Sequence, residues 1–131
     1  MPYEVEHSDE EWRRILTADR FRVLRRGGTE PPFANEYWDR HDDGTYRCGG
    51  CAALLFDSRD KFDSGTGWPS FTRPVVEDAV ERRNDSSLGM VRTEVLCARC
   101  GGHLGHLFDD GPPPAHTRYC MNSGALDFEP R

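Results

Sequence analysis

Five cysteines constrain this chain more than any other feature. They stand at 48, 51, 97, 100 and 120, which makes two CxxC pairs separated by a long spacer and one thiol left over. Each CxxC lets one turn present two sulfurs to the same point, and two such turns supply the four thiolates of a structural tetrahedral Zn²⁺. The spacer is longer than the roughly 15–20 residues of a compact zinc ribbon, so the turns must come from hairpins distant in sequence. Closing so long a loop is where a metal clip constrains a chain most. The alternative for the same residues is a pair of redox dithiols of the thioredoxin kind, or a switch built on them.

A clip is needed. Leu, Ile, Val and Phe together number 24 of 131 residues, which falls below the roughly 20% that normally separates folded from disordered chains when charge is high. Three Trp, four Tyr and thirteen Gly argue instead for aromatic packing and tight turns. The net charge of −6 and pI near 5.3 exclude binding to nucleic acid or anionic membrane through bulk electrostatics. No stretch reaches the ~18 apolar residues of a membrane span, and the acidic MPYEVEHSDE start is unlike a signal peptide, so a soluble, cytoplasmic protein is expected.

Local patterns place helices first and strands later. Ser8 with Glu11 forms a capping box ahead of Trp12, Ile15 and Leu16 at helical spacing. Thr17 can cap a second helix carrying Phe21 and Leu24, ended by Gly27-Gly28 before Pro31-Pro32. From about Thr45 short aromatic and β-branched runs alternate with Gly, Pro and Asp turns: 45–48, 53–56, 90–96, 103–108, 118–122 and 125–128. This predicts a mainly β fold of antiparallel strands, organised as one domain over 1–131 with 1–43 as a helical and extended segment packed on the β core. Residues 75–83 fit a strand or a helix equally.

Three segments carry side chains suited to chemistry. In the strand around the fifth cysteine, Arg118, Cys120 and Asn122 share a face while Tyr119 and Met121 take the other. A cation near a thiol favours the nucleophilic thiolate, whereas the bland reading is a small buried Cys on a polar strand. His103 and His106 follow the second CxxC directly; four thiolates would leave both imidazoles free for other work. Strand alternation puts two residues three apart on opposite faces, unless Gly101, Gly102 or Gly105 permits a bulge. Finally, KFDSGTGWPSF holds Trp68 in a glycine-rich turn, where an aromatic either plugs the core or lines a pocket.

These motifs together resemble one family. EEWRRILTADRFRVLRRGGTEPPF, the two CxxC pairs, KFDSGTGWPSF, GMVRTEV, CGGHLGHLFDDGP and RYCMNSGALDF are similar to the methionine-R-sulfoxide reductases, the type B methionine sulfoxide reductases. The resemblance implies two antiparallel sheets with short N-terminal helices, Cys120 as catalytic cysteine, His103, His106 and Asn122 in the active site, and Trp68 walling the pocket for the substrate methyl. Cys48, Cys51, Cys97 and Cys100 match the structural zinc ligands. Arg118 would assist the thiol. It further implies an oxidoreductase acting on oxidised proteins through a sulfenic acid, with thioredoxin or a low-molecular-weight thiol as reductant.

Two departures stand out. Many members place a resolving cysteine in the SG-x-GWPSF turn where this chain has Thr66, and His116 replaces a residue that is commonly small or glycine. With no cysteine left to resolve the intermediate, an external thiol is expected to reduce Cys120 directly. The competing function is a non-catalytic zinc-stapled β module that binds peptides; such a module has no use for a nucleophile at Cys120.

Overall fold

The computed structural model describes residues 3–86 and 89–131. Two helices open the chain. α1 (Asp9–Ile15) carries the complete capping box, with Ser8 Oγ accepting from the Glu11 amide at 3.1 Å and Glu11 Oε1 accepting from the Ser8 amide at 2.9 Å. α2 (Ala18–Arg26) is capped by Thr17, whose Oγ1 accepts from the Arg20 amide, and ends at Gly27. Trp12 and Leu16, one turn apart, point inward; Ile15 lies off that face and is exposed.

Nine strands follow among the described residues: β1 (Gly44–Cys48), β2 (Leu54–Asp57), β3 (Lys61–Phe62), β4 (Ser70–Phe71), β5 (Val80–Asp85), β6 (Arg92–Cys97), β7 (His103–Phe108), β8 (Arg118–Met121) and β9 (Leu126–Pro130). They form two antiparallel sheets, one in the order β2-β1-β9 and one in the order β3-β4-β8-β7-β6-β5. The mainly β architecture with two sheets and short N-terminal helices is as the sequence predicts.

Aromatic rings join the sheets. Phe56 of β2 stacks on Phe71 of β4 with centroids 4.4 Å apart, and Tyr46 of β1 meets the same Phe71 edge-on at 5.1 Å. Tyr119 of β8 completes the contact, and all four rings are buried. Rings of this size bury ~150–250 Å² each, so a few of them supply what the scarce aliphatic residues cannot. Trp12, Phe21, Val23 and Leu24 belong to the same buried cluster, which seats both helices on the β core.

Some elements differ from expectation for clear reasons. The ambiguous 75–83 segment is a short 3-10 turn at Glu77–Ala79 running into β5, an edge strand. Only Val80 of that strand is buried, so it lacks the alternation of a half-buried strand. The strand expected from Met90 starts at Arg92, with Met90 and Val91 exposed. Ser123–Ala125 is a 3-10 turn, and β9 begins after it.

Candidate active site and cysteine cluster

The hairpins carrying the CxxC pairs bring their turns together. In the first, Cys48 O accepts from the Ala52 amide at 2.9 Å; in the second, Cys97 O accepts from the Gly101 amide at 2.8 Å. The two turns thus close in the same way and aim their sulfurs at one point. Cys48 Sγ lies 3.7 Å from Cys100 Sγ, Cys51 Sγ lies 3.6 Å from Cys97 Sγ, and all four sulfurs fall within 4.8 Å of one another. A tetrahedral ion at ~2.3 Å from each sulfur needs sulfur–sulfur edges of ~3.8 Å, so the four cysteines are spaced to hold a zinc ion.

The electrostatics ask for a cation. Hydrogen bonding to Cys100 foremost, then to Cys51, then burial, holds the Cys97 thiol well above its ordinary value; Cys48 foremost, then Cys51, then burial, do the same to Cys100. The more open Cys51, hydrogen-bonded first by Cys100, is pushed the other way. Four thiols so placed cannot all ionise without a positive ion among them.

Cys120 sits apart in the middle of the six-stranded sheet. On β8 it pairs with His106 of β7 on one side and Ser70 of β4 on the other. The approach of β7 to β8 depends on Gly105, where a Cβ would lie 2.0 Å from Cys120 O. Cys120 opens into a cleft of about 180 Å³ whose walls include Thr66, Trp68, Arg92, His106 and Arg118.

Trp68 is held from two sides. Gly67, at φ +90, packs its bare α-carbon against Pro32 and Phe33, where a Cβ would meet atoms at 2.7 Å. The indole Nε1 donates to Glu30 O at 2.8 Å. Glu30 is itself tied down: its carboxylate accepts from the Ser123 and Gly124 amides, and its own amide donates to Asn122 Oδ1 at 3.0 Å. Asn122 Nδ2 donates to Leu104 O at 3.1 Å. Asn122 reaches the cleft, but its amide bonds to backbone and not to a histidine.

Arg118 makes two hydrogen bonds to the Asp110 carboxylate, at 2.8 and 3.1 Å, and lies over the Phe108 ring. Burial pushes the Cys120 thiol up from its ordinary value; the Arg118 guanidinium and the Thr66 hydroxyl pull against this without reversing it. Arg118 therefore eases ionisation of a thiol that nevertheless rests protonated. Thr66 belongs to a hydroxyl chain in which Ser64 Oγ lies 2.8 Å from both Thr66 Oγ1 and Ser70 Oγ.

The histidines separate. β6 and β7 slip register between Val95 and Leu96, the bulge that the glycines suggested. It brings the two rings within 5.4 Å of each other, yet only His106 lines the cleft. His103 is 5% exposed, bonds Glu94 through Nδ1 at 2.7 Å, and is held below its ordinary pKa by burial. His106 bonds Asp85 through Nε2 at 2.8 Å. Arg92, Glu94, Asp85 and Glu30 carry no local sequence signal. GMVRTEV contains two of them, but nothing local distinguishes a supporting Arg or Glu on a strand.

A SelR domain model matches residues 16–130 of the chain. This chain belongs to the SelR family. A relative named Peptide methionine sulfoxide reductase MsrB from Thiobacillus denitrificans is 55% identical over 124 residues, which is 95% of this chain and 94% of that protein. Proteins of the same name from Leptospira interrogans and Bradyrhizobium diazoefficiens are 52% and 57% identical, over 98% and 95% of this chain and 98% and 89% of theirs. The resemblance to type B methionine sulfoxide reductases therefore holds along the SelR chain. No helix among the described residues is long and apolar enough to cross a membrane.

Proposed function

We propose that this SelR chain reduces methionine-R-sulfoxide in oxidised proteins to methionine, with Cys120 as nucleophile. The observation that carries this reading is the shared cleft: one thiol, one imidazole, one indole and two guanidiniums meet there, and the other four cysteines are engaged with one another. The sulfoxide offers an apolar methyl and a polar oxygen, and the cleft offers Trp68 to the first and cationic donors to the second. Such asymmetry can select one of the two sulfoxide hands.

The Cys120 proton passes to His106, and the thiolate attacks the sulfoxide sulfur. The proton then moves from His106 to the sulfoxide oxygen, which is a poor leaving group until protonated. The substrate sulfur gains two electrons and leaves as methionine, while the hydroxyl ends on Cys120 as sulfenic acid. Thr66 offers no thiol to resolve this intermediate. An external thiol, thioredoxin or a low-molecular-weight one, attacks the sulfenic sulfur and expels water, and a second thiol releases Cys120. Asn122 braces the cleft floor, and His103 supports the ring beside it.

Cys48, Cys51, Cys97 and Cys100 would hold one structural Zn²⁺, which supplies fold stability and takes no part in the reaction. The 131 residues act as one cytoplasmic, monomeric domain. Turnover of the two sulfoxide epimers by wild type and Cys120→Ser tests the reading. Turnover of the R epimer alone, lost in the serine variant, is expected; retained activity in Cys120→Ser sinks it. After sulfoxide treatment without reductant, mass spectrometry should find Cys120 with one added oxygen or an external thiol adduct. An internal disulfide at Cys120 would refute the recycling route.

A further inference from the structure

Two carboxylates stand behind the two histidines and hold opposite ring nitrogens. Glu94 of β6 takes Nδ1 of His103, and Asp85 of β5 takes Nε2 of His106. The oxygen that meets His106, Asp85 Oδ2, also accepts from Arg92 Nη2 at 3.3 Å. His106 and Arg92 both line the cleft, and Asp85 does not. One partly buried carboxylate, its side chain 19% exposed, thus backs two cleft walls that come from different strands.

We propose that Asp85 is the positioning residue for proton transfer at Cys120: it holds His106 as the Nε2–H tautomer and leaves Nδ1 as the basic nitrogen at the cleft. The inference rests on the reading of His106 as proton carrier. An ionised carboxylate only accepts, so a neutral imidazole bonded to it through Nε2 must carry its single proton there. Nδ1 makes no hydrogen bond among the described residues. In register, His106 faces Cys120 across the β7–β8 ladder, so the free nitrogen belongs to a residue directly beside the thiol's own in the sheet.

The buried thiol rests protonated, so attack requires a base. Nδ1 receives the thiol proton, the ring becomes a cation, and the neighbouring Asp85 carboxylate stabilises that cation in a half-buried setting. When the proton passes to the sulfoxide oxygen the ring returns to its starting tautomer. Asp85 remains ionised throughout and touches neither thiol nor substrate. Glu94 has no equivalent part, because the ring it holds lies outside the cleft.

Two measurements on the metal-loaded chain test this. In ¹⁵N-histidine NMR near neutral pH, His106 is expected as the Nε2–H tautomer; Nδ1–H as its major form would overturn the proposal without reference to turnover. In steady-state kinetics with a methionine-R-sulfoxide substrate, Asp85→Asn should lower kcat by about a hundredfold, with KM and melting temperature little changed. Asp85→Glu should recover part of the loss. Wild-type kcat in Asp85→Asn would overturn the proposal, as would a loss that appears only in KM. If Asp85→Asn fails to fold, the wild-type tautomer decides alone. A wild-type chain that reduces neither sulfoxide epimer refutes the proposed function, and that result is distinct from a wrong tautomer in an active enzyme.

Discussion

The two ends of β7 give the same functional group opposite surroundings. Where the strand leaves the second CxxC turn, four thiols crowd together, and their surroundings favour shared ionisation on one cation. At His106 the strand lies beside a single thiol, with other cysteines replaced by an imidazole, two guanidiniums and a threonine hydroxyl. Thiol chemistry is therefore set by company. Four sulfurs at mutual contact are spaced as ligands; one sulfur beside an imidazole and two guanidiniums has the company of the nucleophile proposed above.

Metal removal should give the largest effect and bring both ends down together. Structural zinc contributes roughly 10–16 kcal/mol of apparent free energy at neutral pH, more than the ~5–15 kcal/mol stability of a typical domain. Chelation is expected to unfold the chain, followed by loss of far-ultraviolet β signal and release of one metal per chain. Because β7 starts three residues after Cys100, activity should disappear in step with structure. A chelated chain that keeps its melting temperature would show that the aromatic core suffices without the clip.

The next test makes the cleft resemble the cluster by giving Cys120 a sulfur neighbour. Thr66 lines the same cleft, and its hydroxyl already acts on the Cys120 thiol. In Thr66→Cys, sulfoxide treatment should yield an internal disulfide between the introduced thiol and Cys120 by mass spectrometry, and thioredoxin should gain several-fold over small thiols as reductant. If the sulfenic acid accumulates unchanged, the two positions do not meet during turnover.

A smaller effect tests the cation. Burial raises the Cys120 thiol and Arg118 partly offsets this, so the thiolate fraction at neutral pH is low and rises with pH. Removing the guanidinium in Arg118→Met pushes the thiol further up. Iodoacetamide labelling of Cys120 should slow several-fold at pH 7, with its pH dependence moved upward. An unchanged profile would mean that the Asp110 pair and the Phe108 contact absorb the charge of Arg118.

The difference between the two ends also governs what could be read in advance. The cysteine turns, the capping box at Ser8 and the Trp68 turn are local signals, complete within a few residues, and each forms as expected. β3 and β4 have two residues apiece, and only pairing with one another and with β8 makes them strands. His103 and His106 look alike in CGGHLGHLF, because the bulge that separates their fates, with Leu104 as the extra residue opposite the Val95–Leu96 step, is fixed by pairing with a neighbouring strand. Asp85 and Glu30 act on partners 21 and 93 residues away, and no spacing rule reaches that far.

The smallest expected change lies at His116, in a turn that serves neither end. It is exposed, does not line the cleft, and adopts φ +60, the left-handed region where most side chains are strained. Its amide donates to Pro112 O and its carbonyl accepts from the Gly111 amide, so the turn is held whatever the side chain. A glycine fits this conformation without strain. Relief of ~1–2 kcal/mol is offset by ~0.5–1 kcal/mol of extra chain entropy in the unfolded state, so His116→Gly should stabilise by at most about 1.5 kcal/mol. A melting temperature a few degrees higher, with unchanged kcat and KM, is the expected outcome. His116→Ala retains a Cβ and should gain nothing. If both variants lose activity equally, the imidazole reaches the substrate and the turn belongs with the cleft.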